Sequence, residues 1–164
     1  MRACVLLAVA LLVFPVAGQG AGPDSEEAAV VAVVQKFFDA MAARDVDAAR
    51  AVVLPEGRDH SIREGAEGPI IRSFTNEDFV ARLATGTEKL LERMWEPKVM
   101  IHGRIAVLWA PYDFHRNGEF SHCGVDAFTL VRTESGWKIS GGVYTVETED
   151  CAPSPLGPPS APEE

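Results

Sequence analysis

The stretch Trp109–Phe128, "WAPYDFHRNGEFSHCGVDAF", decides how the rest of the chain is read. Asn117-Gly118 stands between two apolar, aromatic-rich runs, and Asn-Gly in that setting is the strongest short-range sign of a two-residue hairpin. A regular hairpin keeps the index sum of paired residues constant. Arg116 then faces Glu119, Asp113 faces His122 and Trp109 faces Asp126. Side chains alternate between faces along a strand, so Trp109, Asp113, His115, Phe120, His122, Asp126 and Phe128 are expected on one face. Two acids and two imidazoles among aromatic rings mark either a wet surface or the lining of a pocket.

Working outward, "RIAVLWAPYDFHR", "EFSHCGVDAFTLVRT" and "WKISGGVYTVETE" read as three strands, the last two joined at Ser135-Gly136. That second turn sets Asp126 against Thr145 and Phe128 against Val143. The opposite face then holds Ala106, Leu108, Ala110, Tyr112, Val125, Ala127, Thr129 and Val146. Tyr112 and Tyr144 both fall away from the Asp/His face, which leaves that face without an obvious hydroxyl donor. Upstream, "KLLERMWEPKVMIHG" is extended at its end and either strand or helix at its start. Arg93 and Trp95 in this run could close the pocket.

Before Gly86 the hydrophobic period is helical. Val30, Val33, Val34, Phe37, Phe38 and Met41 recur at helical spacing after Glu26 and Glu27, predicting a helix over 26–43. Asp45 can cap a second, short helix over 46–53, ended by Pro55. Thr75 with Asp78 has the form of a capping box for a third helix over 76–85, closed by Gly86. Residues 56–74 are rich in glycine and charge, with one strand expected near "PIIRSF". Helices followed by a mainly antiparallel, curved sheet make an α+β domain.

The opening "VVQKFFDAMAARDVDAARAVV", the segments "IAVLWAPYDFH" and "VDAFTLVRTESGWKISG", and the pattern F-T-L-V-R-T followed by G-W-K-I together resemble the nuclear-transport-factor-2-like superfamily, including its polyketide-cyclase-like (SnoaL-like) branch. The resemblance covers the whole domain. It implies a cone in which one sheet face wraps helices and a pocket, while the other face packs in a homodimer. On that basis the Trp109/Asp113/His122/Asp126 face is assigned to the pocket. The Ala106, Leu108, Ala110, Val125, Ala127 and Val146 face is assigned to a dimer interface. The superfamily hosts isomerases, dehydratases, hydrolases and non-catalytic binders, so fold alone does not choose a function.

The ends of the chain are simpler. Arg2 precedes the apolar run "ACVLLAVALLVFPVAG", which is short for a membrane span and is followed by small residues. This reads as a secretory signal over 1–20, cleaved between Ala17 and Ala21; a retained N-terminal anchor is the other reading. Cleavage would change the formal charge from −9 to −10 and leave two of three cysteines, Cys123 and Cys151. In an oxidising compartment that pair is expected to bridge. The register sets Thr148 opposite Cys123, so the chain must bend back just after Glu149. The folded domain is then 24–151, followed by a Pro-rich tail over 152–164, expected to be extended and mobile. The net acidity argues against nucleic acid or anionic membrane as partner.

The chemistry centres on His122, between Asp113 across the hairpin and Asp126 two residues along. A carboxylate-held imidazole can serve as general acid or base. A solvated surface pair is the alternative for Asp113 and His122. Trp109 and Phe128 would supply an apolar floor, with Arg93 and Trp95 beside them. No phosphate-cradling loop or nucleophile elbow occurs, His60 and His102 have no spacing partner that suggests a metal site, and His102, His115 and His122 do not match a helical zinc pattern. The expected function is a secreted or periplasmic module that binds a small molecule without a cofactor. The alternative is a cofactor-independent dehydratase, isomerase or cyclase using His122, Asp126 or Asp113. A third reading is a pure interaction protein.

Overall fold

The computed structural model describes residues 25–159. The leader expected over 1–20 and the last tail residues lie outside that range. Helix α1 (Glu26–Ala43) starts where the Ser25 hydroxyl accepts the Ala28 N–H, and Glu26 and Glu27 occupy its first turn. It ends at Arg44, which adopts the left-handed conformation at φ 53°. Helix α2 (Val46–Val52) is capped by Asp45. Helix α3 (Asn76–Thr85) carries the Thr75/Asp78 capping box in both directions. All three helices sit where cap chemistry and period placed them.

The sheet has seven strands: β1 (Val53–Arg63), β2 (Ile70–Thr75), β3 (Leu90–Met94), β4 (Lys98–His102), β5 (Ile105–Arg116), β6 (Glu119–Thr133) and β7 (Gly136–Thr145). Their order is β2-β1-β7-β6-β5-β3, with β4 also on β5. Every pair is antiparallel except β1 with β7. The long strand β5 takes β3 along Tyr112–Arg116 and β4 along Ile105–Trp109. One face packs on the helices. Val30, Val34, Phe38 and Met41 of α1 bury against Leu108, Phe128, Leu130 and Ile139 of the sheet.

Asn117-Gly118 forms the expected turn, with φ of 54° and 84° and Arg116 paired to Glu119. The expected register then fails within three residues. His115 pairs with Phe120, but Phe114 pairs with His122, and Ser121 is left over as a bulge. Past the bulge each β5 residue meets a partner one position later than a regular hairpin gives. Trp109 therefore faces Ala127, and Asp126 faces Ala110. One extra residue exchanges the faces of one strand relative to the other.

Ala106, Leu108, Ala110, Tyr112 and Phe114 of β5 consequently lie inward with His122, Asp126 and Phe128 of β6. Ala106, Leu108, Ala110 and Tyr112 are core residues, so the interface assigned to Ala106, Leu108 and Ala110 is corrected. Trp109, Asp113 and His115 lie on the outer face. The second turn also differs. Thr133 pairs with Gly136, leaving Glu134-Ser135 as the loop, and Ser140 is a further extra residue between Ile139 and Gly141. Gly136, with φ 104°, opens the strand rather than the turn. Asp126 thus faces Tyr144, not Thr145.

Two glycines make the inner packing feasible. At Gly141, with φ 144°, a Cβ would stand 2.4 Å from the Arg58 carbonyl oxygen. At Gly124 a Cβ would stand 2.3 Å from the Thr145 carbonyl oxygen, the same oxygen that accepts the Tyr112 hydroxyl at 2.7 Å. Cys123 and Cys151 are bonded, as the cysteine count implies, with Cα atoms 6.0 Å apart. Cys123 bridges Glu147 rather than Thr148, the same one-residue displacement. Beyond Cys151, residues 152–159 form neither helix nor strand.

Candidate functional site

The inner face of the cone opens into a cavity of about 660 Å³. Phe37 of α1, Phe74 of β2, Phe79 of α3, and Phe114 and Phe128 of the sheet supply aromatic walls. Phe37 approaches Phe79 at 5.2 Å between centroids, and Phe74 stacks on Phe79 at 6.3 Å. Three carboxyl groups reach this space from three strands: Asp59 on β1, Glu92 on β3 and Asp126 on β6. Tyr112 and Tyr144 line it as well.

The acids are deep. Asp126 is 2% exposed and Asp59 7%. Burial pushes the Asp59 carboxyl up to about 6, against a hydrogen bond from the Gly142 backbone that favours the charged form. Burial also pushes Asp126 up to about 7; its hydrogen bond with Glu92 opposes the rise, and the charge of Asp59 adds to it. Glu92 is raised well above the ordinary carboxylate range by burial, then by the charge of Asp126 and the hydrogen bond between them. Two adjacent carboxyls, Asp126 buried and Glu92 half-buried, resist ionising together, so the pair holds a shared proton near neutrality. Asp59 Oδ1 and Asp126 Oδ2 are buried with no hydrogen-bond partner. Each is an acceptor that a donor on a bound molecule would satisfy.

Gly142 makes room for this arrangement. A Cβ there would meet Asp59 Oδ1 at 3.2 Å and the Phe128 ring at 3.3 Å. Burial raises the Tyr112 and Tyr144 hydroxyls above the ordinary phenol value. His122 lies against Phe114, with ring centroids 4.8 Å apart, and its Nδ1 is 3.0 Å from the Ser121 hydroxyl. Burial, followed by the charge of Arg116, pulls its pKa down to about 4. The imidazole is therefore neutral at physiological pH. Among the described residues, no three His, Cys, Asp or Glu side chains are grouped to hold a metal ion.

Of the residues singled out in the sequence, the structure brings His122, Asp126 and Phe128 to this cavity and separates the others from it. Asp113 lies on the outer face. Arg93 grips it with Nε at 2.8 Å and Nη2 at 2.6 Å, and His115 Nε2 is 3.3 Å away. Asp113 is 4% exposed because Phe120, the disulfide and residues 152–154 and 157–159 surround this cluster. Burial works against its ionisation, but the Arg93 hydrogen bonds and charge hold it below the usual range. The cluster is a buried ion pair under a strap. Trp109 is 52% exposed on the outer sheet surface. Trp95 follows β3, its N–H on the Pro111 carbonyl at 3.2 Å, and does not line the cavity.

Sequence reading missed Asp59, Glu92, Tyr112 and Tyr144. The tyrosines were excluded by the one-residue register error. Glu92 lies in β3, in a run whose residues fit strand and helix alike. Asp59 belongs to a strand whose sequence carries no strand signal.

At the rim, Arg44 donates to the Glu88 carbonyl from Nε at 2.8 Å and to the Leu83 carbonyl from Nη1 at 3.2 Å. This ties the end of α1 to the loop after α3. Arg72, Arg82, Arg116 and Glu88 complete the exposed edge.

No curated protein matches this chain. Solved structures do, at low identity. An "NTF2-like protein" from Cytophaga hutchinsonii aligns at TM-score 0.61 and 14% identity, over 74% of this chain and 98% of that one. A "putative dehydratase from the NTF2-like family" of Streptomyces avermitilis aligns at 0.59 and 17%, over 76% and 98%. An "ntf2-like protein with a cystatin-like fold" from Novosphingobium aromaticivorans aligns at 0.59 and 14%, over 77% and 84%. These likenesses establish the fold. The sequence model of a family described as "Putative lumazine-binding" matches residues 25–145. The chain therefore belongs to that family, within the nuclear-transport-factor-2-like superfamily.

Proposed function

We propose that the protein is an exported small-molecule-binding module whose ligand enters the cone and places a hydrogen-bonding head against Asp59, Glu92 and Asp126. The observation that carries this reading is the pair of buried, unpartnered acceptors, Asp59 Oδ1 and Asp126 Oδ2, at an aromatic-walled cavity. Leaving such acceptors unmet costs about 1–3 kcal/mol each, so a donor-bearing ligand gains by meeting them. The family's description agrees in kind: lumazine is a planar heteroaromatic ring bearing both N–H donors and carbonyl acceptors. The disulfide supports an oxidising compartment, and no helix among the described residues is long and apolar enough to cross a membrane.

Native mass spectrometry of the purified protein tests this. The expected result is a retained small molecule, lost in Asp126→Asn. Retention unchanged in Asp126→Asn and Asp59→Asn would defeat the assignment of the site.

One observation favours a second reading. A carboxyl with a pKa near 7 beside a proton-sharing partner is matched to proton transfer at neutral pH. A cofactor-free dehydratase, isomerase or cyclase would use Asp126 as base and Glu92 as the neighbouring acid. His122, neutral and packed on Phe114, would then shape the wall. Turnover abolished by Asp126→Asn but not by His122→Gln would select this reading.

The outer sheet face is proposed as a homodimer surface, with corrected membership. Met100, Ile105, Trp109 and Val143 are exposed there, and Val125 and Ala127 lie among them.

A further inference from the structure

Acidic residues outnumber basic ones, 24 to 15, yet arginines gather at the rim of the acid-floored cavity. Arg72 of β2, Arg82 of α3 and Arg116 of β5 all line it and are exposed. Among the described residues, neither Arg72 nor Arg82 takes part in an ion pair. Arg116 reaches Glu88 only at 3.8 Å. Elsewhere Arg50 pairs with Glu77 at 2.8 Å, Arg93 with Asp113 at 2.6 Å, Arg104 with Glu134 at 3.2 Å and Arg132 with Glu26 at 2.8 Å, while Arg44, Arg58 and Arg63 form no ion pair among the described residues.

Two rim guanidiniums stand over aromatic rings of the cavity wall. Arg82 stands over the Phe74 ring at 4.6 Å and Arg116 over Phe114 at 5.7 Å. Stacking fixes the plane of a guanidinium and leaves its N–H edge free for an anion. The cavity is thus charged in opposite senses along its length: a proton-sharing acid group inside, and at the rim several arginines against the single carboxylate of Glu88.

We infer that the ligand of this cavity is an amphiphilic anion, an aromatic body carrying a carboxylate, sulfonate or phosphate that Arg82 and Arg116 hold at the rim, with Arg72 adding to the local potential. This deepens the binding reading above and rests on it. A neutral ligand would leave the rim cations unused, and an anion turned inward would face Asp59 and Asp126. The rim therefore sets orientation as well as class.

A matched pair of fluorescent probes separates the two claims. 8-Anilino-1-naphthalenesulfonate and N-phenyl-1-naphthylamine share an aromatic frame, and only the first carries a negative group. Both are expected to bind the wild-type protein and to remain bound in Trp109→Lys, which breaks the outer apolar face. In Arg82→Gln/Arg116→Gln the dissociation constant of the sulfonate is expected to rise about tenfold, while that of the amine stays within about twofold. Arg82→Lys/Arg116→Lys, which keeps the charge but loses the planar fork, should fall between. Equal effects on both dyes, or none on the sulfonate, would overturn the anion inference and leave the cavity reading standing. Failure of both dyes to bind, or loss of both signals in Trp109→Lys, would remove the cavity reading and the inference with it. Circular dichroism and melting curves of the exposed-arginine variants confirm that the fold is retained in the comparison.

Discussion

Asp126 and His122 project from one strand face into one cavity, and the same burial moves their proton affinities in opposite senses. The native Asp126 pKa, near 7, lies above its ordinary 3.8. The native state therefore holds more protons than the unfolded chain between those values. The stability linked to Asp126 is complete below about 4 and is lost as pH rises through 7. Asp59, raised to about 6, adds in the same direction. His122, lowered from 6.5 to about 4, acts in reverse: the unfolded chain binds the extra proton, and stability falls as pH drops from 6.5 toward 4. Between pH 6.5 and 8 the acids act alone. Asp126→Asn should reduce the loss of stability across that window by about 0.8 kcal/mol, read by denaturant unfolding at several pH values. An unchanged pH profile would show that Asp126 is not the buried proton acceptor.

The element that governs the site is the β5–β6 hairpin, through a single unpaired residue. Ser121 can be removed on paper at the cost of its hydroxyl contact to His122 and with the strand pairing kept: Phe120 would adjoin His122, His115 would still pair with Phe120, and Phe114 with His122. Deleting Ser121 is thus expected to regularise the hairpin with every face kept, shifting the melting temperature by only about 2–4 °C. Deleting Val125, seven residues past the turn, would instead exchange faces and should unfold the domain. Equal damage from the two deletions, measured by thermal melts, would contradict this account. The same residue explains what could be read in advance. Ser25, Asp45 and the Thr75/Asp78 pair announce helix starts through side chains that bond the first free N–H groups, and those helices lie where expected. A bulge leaves no comparable mark, so Asp113 and Trp109 were placed on the wrong face relative to Asp126. Strand β1, "VLPEGRDHSIR", contains Pro55 and Gly57 and four charged residues. It is a strand because β2 and β7 pair with it on either side, a tertiary cause invisible locally. Asp59 was hidden with it.

At the scale of the molecule, the outer sheet face presents Met100, Ile105, Trp109 and Val143 side by side. Met100 pairs with Val107, Trp109 with Ala127, and Ala127 with Val143, so the apolar row is continuous across four strands. A second copy covering it would account for this exposure. Multi-angle light scattering should give a dimer for the wild-type protein and a monomer for Trp109→Lys; a wild-type monomer at micromolar concentration would end the proposal. The inner face has its own whole-molecule consequence, in the order of folding. Strands β5, β6 and β7 form a meander of sequence neighbours, whereas β1 joins β7 in parallel, setting Asp59 beside Gly142. So distant a pairing closes a large loop and is expected after the meander. Asp59, whose charge adds to the raised proton affinity of Asp126, reaches the cavity only when β1 arrives. The barrier to folding should therefore be blind to the charge on Asp126, while the native state feels it. Stopped-flow measurements should find a refolding rate that is flat between pH 6.5 and 8 and an unfolding rate that climbs with pH. The proton shared by Glu92 and Asp126 would then serve as a latch on the last strand to dock, released from the native side only.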